Sequence, residues 1–410
     1  MASRKDKRGR VLEKNEYQRS NGTYRYDYRD AVGTSHSIYA DDLATLREKE
    51  KQLMMAKWQG VDVERGNTVT LNDIFDRYIT TKFGLKESTL ASYLYMYERY
   101  VRPEFGRQLI RNIRYSDVQS FYGYLLKEVK VSMRSVEYVH QLLHPSFEMA
   151  IEDGLLLKNP TKGLLGKIKR AQGYTNVRRH ALTLDQQRAF LDYISGHRVW
   201  QRYHSIFVVM LGTGLRVGEL TGLRWQDVDF EKKTISVNHG LVMVKPVKGE
   251  SKGHLHISLP KSDAGIRTVP IVDAVLEGFK EEYRYCLAKG FSDFELEGYT
   301  DFIFTKANGT VYTCCRLDKV LRDIVDSYNK QETAIAEREG REPEYLPHFS
   351  CHILRHTFCT RLCEQDVNIK VIQTLMGHAN IRITMDIYAE VSEEKKRSEL
   401  ERLADELEIF

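Results

Sequence analysis

Two hydrophobic rhythms organise the chain. Near its start, TYRYDYRD sets a tyrosine at every second position between charged residues, the period of a half-buried strand. RVLEKNEYQ precedes it across an Asn21-Gly22 turn, and TSHSIYA follows after Val32-Gly33, so a small three-stranded sheet is predicted. Asp41 and Asp42 then cap a helix, LATLREKEKQLMMAKWQG, that ends at Gly60.

From Thr70 the spacing becomes helical through LNDIFDRYITTKF, ESTLASYLYMYERYVRPEF, SDVQSFYGYLLKEV and SMRSVEYVHQLLHPSFEMAIEDG, with Ser88, Ser116 and Ser132 as predicted caps. A second helical region opens with ALTLDQQRAFLDYISGH and the apolar YHSIFVVMLGTGLRVGELTGLRW, where Gly212 and Gly214 let the chain bend before Arg216. Strand-like text follows in KTISVNHG and HLHISLPKSDAGIRTVPI, with Lys261 where a hairpin would turn. NKQETAIAEREGREPEYLPH, after Tyr328, reads as a polar surface insertion, and Leu400, Leu403 and Leu407 form one stripe of a terminal amphipathic helix. These changes predict a multidomain chain: a small α+β domain over 1–66, an all-α domain over 67–165, a basic linker over 166–180, a mainly α domain with a small β-sheet over 181–390, and a C-terminal helix over 391–410.

Composition narrows the class. With 410 residues, 42% hydrophobic and 29% charged, the chain has the make-up of an ordinary globular protein. No apolar run reaches the length of a membrane span, MASRKDKRGR lacks the apolar core of a signal peptide, and six cysteines include no C-x-x-C pair. A cytoplasmic protein with reduced thiols is expected. The net charge of +5 is modest, but its distribution is uneven. Nine cations face four acids before Asp30, and Lys158, Lys162, Lys167, Lys169, Arg170, Arg178 and Arg179 form a run without any acid. That run would track a phosphate backbone as a flexible strand, or is simply a solvated linker. Tyr24, Tyr26 and Tyr28 either pack a small core or lie with the basic sheet in a DNA major groove. For Tyr93, Tyr95, Tyr97 and Tyr100, packing is the stronger reading.

The chemistry concentrates in FSCHILRHTFCTRLCEQDVNIKVIQTLMGHANIRITMDIYAEV, residues 349–391. His352 and Arg355, three positions apart, share one helix face and can converge on a small anion. His378 follows a Met-Gly helix end, and Tyr388 comes ten residues later in a β-branched, weakly helical run. Imidazole donors, a guanidinium fork and a phenol are what phosphoryl transfer to a protein nucleophile requires. His356 is expected to be buried and structural; with His352, Cys359 and Cys363 it would also make a four-ligand set, but Ile353 stands where a zinc protease would carry its glutamate.

H-I-L-R-H, L-M-G-H and then Tyr388, with T-G-L-R-V-G-E upstream, resemble the tyrosine recombinase (phage-type integrase) family, most of all the integrases of conjugative transposons. The resemblance covers essentially the whole chain. It implies the tyrosine recombinase fold, with an arm-type DNA-binding domain, a helical core-binding domain and a catalytic domain in that order. It also implies Arg216 and Arg355 at the scissile phosphate with Glu219 orienting Arg216, Lys261 of K-S-x-x-G-x-R-x-V-P as general acid with Lys248 and Lys252 as nearby alternatives, His352 and His378 on the phosphate, and Tyr388 as nucleophile. It implies no cofactor and no metal, double-stranded DNA as partner, a homo-tetramer on DNA, an excisionase or host DNA-bending protein as accessory factor, and a terminal helix that packs on a neighbouring subunit, although packing on its own domain would use the same apolar stripe. Ala389-Glu390 departs from the Thr or Ser and His that follow the tyrosine in many relatives. The alternatives are a type IB topoisomerase and a DNA-binding regulator without catalysis.

Overall fold

Alternation of tyrosine and charge does build a sheet. In the computed structural model, which describes residues 4–29, 33–58, 68–175, 180–246, 252–260 and 263–389, β1 (Glu16–Gln18), β2 (Tyr24–Arg29) and β3 (Ser35–Ala40) are antiparallel in that order. Tyr24, Tyr26 and Tyr28 point to one face and are buried with Leu43, Leu46 and Leu53 of helix α1 (Leu43–Trp58), so these rings form the core of a small sheet that needs one. The other face shows Tyr17, Arg25 and Tyr39 in register, with Arg25 5.1 Å from the Tyr17 ring and Arg19 5.2 Å from that of Tyr39. Asp42 accepts from the Thr45 amide at 2.9 Å, as a cap should; the predicted end at Gly60 lies outside the described residues.

The chain divides into two units, with the main boundary at Asn176/Val177. In the first, the helical segment is α2 (Leu71–Thr80), α3 (Glu87–Tyr100), α4 (Tyr115–Lys127) and α5 (Met133–Glu152) around a core that includes Phe75, Tyr97, Tyr122 and Phe147. Thr70 and Asp73 cap α2 reciprocally, and Ser132 caps α5. Ser88 and Ser116 lie one residue inside their helices instead; Lys86 precedes α3, and Asp117 accepts from the Arg114 amide at the start of α4. Tyr97 is fully buried and donates to Leu71 O at 3.2 Å, whereas Tyr93, Tyr95 and Tyr100 are half-buried. The acid-free run is not an extended strand throughout. Residues 164–171 form helix α6 (Leu164–Ala171), whose Leu164 is buried in the same core and whose Lys169 pairs with Glu137 at 2.6 Å. An apolar residue with a partnered lysine gave this segment reason to fold, and the predicted boundary at 165/166 falls inside it. Arg178 and Arg179 lie outside the described residues.

The second unit opens with α7 (Leu184–Gly196), capped reciprocally by Thr183 and Gln186, then the buried α8 (His204–Thr213) and the short α9 (Val217–Thr221). Gly214, at φ +62°, makes the bend between α8 and α9. Gly212 serves another purpose: a Cβ there would stand 2.3 Å from Val275 Cγ2, on α10 (Asp273–Lys289), so it allows two helices to approach. β4 (Val228–Asp229), β5 (Thr234–Val237) and β8 (Arg267–Pro270) form one antiparallel sheet, and β6 (Gly240–Val244) and β7 (His254–Ser258) another. This corrects the predicted hairpin about Lys261, because β7 and β8 have different partners. Ile235, Val237 and Val269 enter the main core while Leu241 and Ile257 pack with Phe302 and Val311, and two apolar faces require two sheets. Lys261 and Lys248 lie outside the described residues.

Nor is the run after Tyr328 an insertion. It continues α11 (Cys314–Glu339), burying Glu332 and Ala336, and the chain then returns so that Asn329 and Leu346 exchange hydrogen bonds at 2.8 and 2.9 Å. A polar composition concealed this because Arg341 neutralises Glu332 at 2.5 Å. Last come α12 (Cys351–Glu364), α13 (Ile369–Met376) and α14 (Ile381–Tyr388), sharing a small core of Cys359, Cys363, Ile372, Met376 and Ile387. The terminal segment over 390–410 lies outside the described residues. All six cysteines are free thiols, and no described helix is long and apolar enough to cross a membrane.

Candidate active site

Arg216 stands at the N-terminus of α9, just after the left-handed Gly214, and its side chain is 42% exposed. Its Nη1 donates to Glu219 Oε1 at 2.7 Å, its Nη2 to Gly377 O at 2.8 Å, and its backbone amide to Glu219 Oε2 at 2.9 Å. The second glycine of the motif, Gly218, is needed because a Cβ would meet Leu241 O at 2.6 Å.

Arg355, on the first turns of α12, is buried. Its Nη1 donates to Gly214 O at 2.6 Å and its Nη2 to Met376 O, so it spans the bend before Arg216 and the end of α13. Burial, then the charge of Arg216, with Glu219 opposing and Arg267 adding, pushes its pKa down to about 9. The guanidinium is still charged at neutral pH, but in a place short of negative charge.

Gly377, at φ +60°, ends α13 and turns the chain to His378. The His378 ring is buried, with Nδ1 3.0 Å from the Thr384 hydroxyl, while Gln373 brackets its backbone. Burial, then the charges of Arg355, Arg216, Arg267 and His352, lowers its pKa to about 4, so it is neutral at pH 7. His352 is exposed on α12 and lies close enough for its charge to act on His378.

Tyr388 is the last residue of α14 and 42% exposed. The run predicted as weakly helical is a helix because Asn380 caps it, accepting from the Arg382 amide at 2.9 Å. Thr384, one helical turn before Tyr388, is the buried partner of His378. The structure therefore brings Arg216, Arg355 and His378 together, with His352 nearby and Tyr388 on the helix that holds His378. His356 differs from expectation: it is half-buried and meets Thr360 of its own helix at 3.2 Å, because it faces along α12 rather than into the core. Cys359 and Cys363 are buried as apolar packing, and among the described residues no three or more His, Cys, Asp or Glu are placed to hold a metal ion.

Arg267, the arginine of K-S-x-x-G-x-R-x-V-P, has no catalytic role legible in its own stretch of sequence. It opens β8 with its side chain 3% exposed, directs Nη2 and Nη1 to Glu219 at 2.8 and 3.1 Å and donates Nε to Leu375 O at 2.7 Å. The available signal was the period of the strand, which turns Arg267 inward with Val269. Burial would raise the pKa of Glu219, but the hydrogen bonds and charge of Arg267 and the charge of Arg216 outweigh it and hold the carboxyl below its ordinary value. Two guanidiniums thus share one carboxylate while a third, Arg355, is held by backbone carbonyls nearby, leaving a positive site suited to an anion.

The phage integrase family matches residues 180–395, the DNA binding domain of Tn916 integrase residues 1–57, and the phage integrase N-terminal SAM-like domain residues 70–126. The transposase from transposon Tn916 of Enterococcus faecalis is 28% identical over 98% of this chain and 97% of its own length. A XerC-like tyrosine recombinase of Caldanaerobacter subterraneus subsp. tengcongensis is 28% identical over 82% of this chain and 83% of that one. Among solved structures, the Tn1549 transposon integrase in complex with transposon right end DNA has a TM-score of 0.69 at 30% identity, covering 82% of this chain and 100% of that one. On the strength of a match over more than half its length, the chain belongs to the phage integrase family and is a tyrosine recombinase, a DNA strand-transferring enzyme.

Proposed function

We propose that the chain excises and integrates a conjugative transposon by cutting and rejoining DNA through a covalent link to Tyr388. The observation that supports this most is the cluster of Arg216, Arg267 and Arg355 with only one carboxylate, shared by Arg216 and Arg267, to balance it, an excess of positive charge that a DNA phosphate would neutralise. The Tyr388 oxygen attacks phosphorus in line. Its bond to phosphorus forms as the bond to the 5′-oxygen breaks, leaving a 3′-phosphotyrosine and a free 5′-hydroxyl. Arg216 and Arg355 hold the non-bridging oxygens, whose charge grows in the transition state. His352 takes the phenol proton, Lys261 gives one to the departing 5′-oxygen, and His378 donates a hydrogen bond to the phosphate. The incoming 5′-hydroxyl of the partner strand then reverses the step, so no cofactor supplies energy.

The arm-type domain over 1–66 would hold sites away from the cut, with the core-binding and catalytic domains enclosing the crossover site. Four copies of the chain would assemble on two paired DNA segments, and an excisionase or host DNA-bending protein would set direction. The test uses a duplex joining the two ends of the element that encodes the chain. A covalent protein–DNA adduct is expected on a denaturing gel with the wild-type chain. Tyr388→Phe should bind the same duplex and form none; an adduct in that variant rejects the assignment. Strand exchange between ends is expected, and relaxation of a supercoiled plasmid without exchange would point to a topoisomerase instead.

A further inference from the structure

We infer that Arg267 is a positioning residue for strand cleavage, locking β8 to the carboxylate behind Arg216 and to the turn that presents His378. The inference rests on the recombinase reading above. Arg267 opens β8, the strand that follows the Lys261 segment. Its fork takes both oxygens of Glu219, at 2.8 and 3.1 Å, and its Nε takes Leu375 O at 2.7 Å. Gly377, directly before His378, lies against the same group: a Cβ there would stand 3.0 Å from Arg267 Nη1 and 2.9 Å from Ala264 O. One guanidinium therefore joins β8, α9 and the α13–α14 turn.

A buried ion pair adds little net stability when its partners hold only each other. This one differs because Glu219 also holds Arg216, through Nη1 and the backbone amide. With Arg267 present, the carboxylate is balanced from behind and Arg216, more exposed, keeps donors for an anion. Without it, a buried negative charge would rest on Arg216 alone, drawing that guanidinium inward and competing with the phosphate for it. The Gly377 turn and β8 would also lose their common anchor. The damage should appear in the rate of cleavage rather than in affinity, since affinity for DNA sums many phosphate contacts while cleavage depends on geometry at one.

The experiment uses the full-length chain and the joined-ends duplex, measuring single-turnover adduct formation, DNA affinity by mobility shift, and melting temperature. Arg267→Gln should slow adduct formation about 100-fold, the scale of a misplaced reacting group, with affinity within about threefold of wild type. Arg267→Lys, which keeps the charge but not the fork, should recover about a tenfold share of that loss. Arg267→Gln combined with Glu219→Gln should cleave no more slowly than the slower single variant, because the two act as one unit. If Arg267→Gln fails to fold, Arg267→Lys decides by the same readouts. Unchanged cleavage in a folded variant, affinity falling in step with cleavage, or additive losses in the double variant would each overturn the inference. Tyr388→Phe, run alongside, separates the two claims: an adduct there defeats the recombinase reading, whereas a blank Tyr388→Phe lane beside an undisturbed Arg267→Gln defeats only the role of Arg267.

Discussion

Acid should find His378 reluctant to take a proton. The ring is 7% exposed and stands among Arg355, Arg216 and Arg267, which together with burial lower its pKa from 6.5 to about 4. Between those values the unfolded chain binds a proton that the folded chain refuses, so stability rises with pH across this window and is lost as pH falls from 6.5 towards 4. At about 1.4 kcal/mol for each tenfold change in proton affinity, this single group accounts for roughly 3 kcal/mol of acid sensitivity. The assay is a titration by NMR of the chain labelled with ¹³C at histidine Cε1, the His378 resonance being identified by its absence in His378→Gln. A midpoint near 4 is expected in the free protein, moving upward when the joined-ends duplex brings a phosphate to the site, because an adjacent anion favours the imidazolium. His378→Gln should also lose less stability than wild type on acidification from pH 6.5 to 4. A free-protein midpoint of 6 or higher would refute the reasoning, since it would mean that the three guanidiniums do not act on this ring.

Thr384→Val removes the hydroxyl 3.0 Å from His378 Nδ1 at nearly constant shape, and should slow adduct formation about tenfold while leaving DNA affinity unchanged; equal rates on the gel would detach Thr384 from the site. Gly212→Ala places a Cβ 2.3 Å from Val275 Cγ2 and should destabilise by about 1–3 kcal/mol, read as a lower melting temperature by calorimetry. Adding Val275→Ala should restore most of that loss, and an unchanged melting temperature in the single variant would show that the helices have room to part.

Much of the fold was legible because local chemistry decided it. Thr70 with Asp73 announces α2, Gly214 and Gly377 mark turns with positive φ, and Asp42 starts α1 whatever surrounds it. The serine caps at 88 and 116 failed by two residues, because Lys86 and Arg114 occupy the capping positions before α3 and α4. Composition misled where charges were compensated by specific pairing: Glu332 sits buried in α11 against Arg341, and Lys169 in α6 against Glu137. Glu137 lies outside the window around Lys169, and Arg341, although inside the same polar run as Glu332, gives no sign there that it pairs with it.

By itself, the sequence determined the helices, the presence of short strands, and the residue types that phosphoryl transfer needs, all of which depend on neighbours within a turn or two. Only the tertiary structure decided which strands pair, that Tyr24, Tyr26 and Tyr28 face inward, and that Glu219 is shared between two arginines. Those outcomes rest on groups far apart along the chain: Arg267 reaches Glu219 across 48 positions, Arg355 reaches Gly214 across 141, and Arg216 reaches Gly377 across 161. The charge state of His378 belongs with them, for it is set by burial and by guanidiniums that no local pattern brings near.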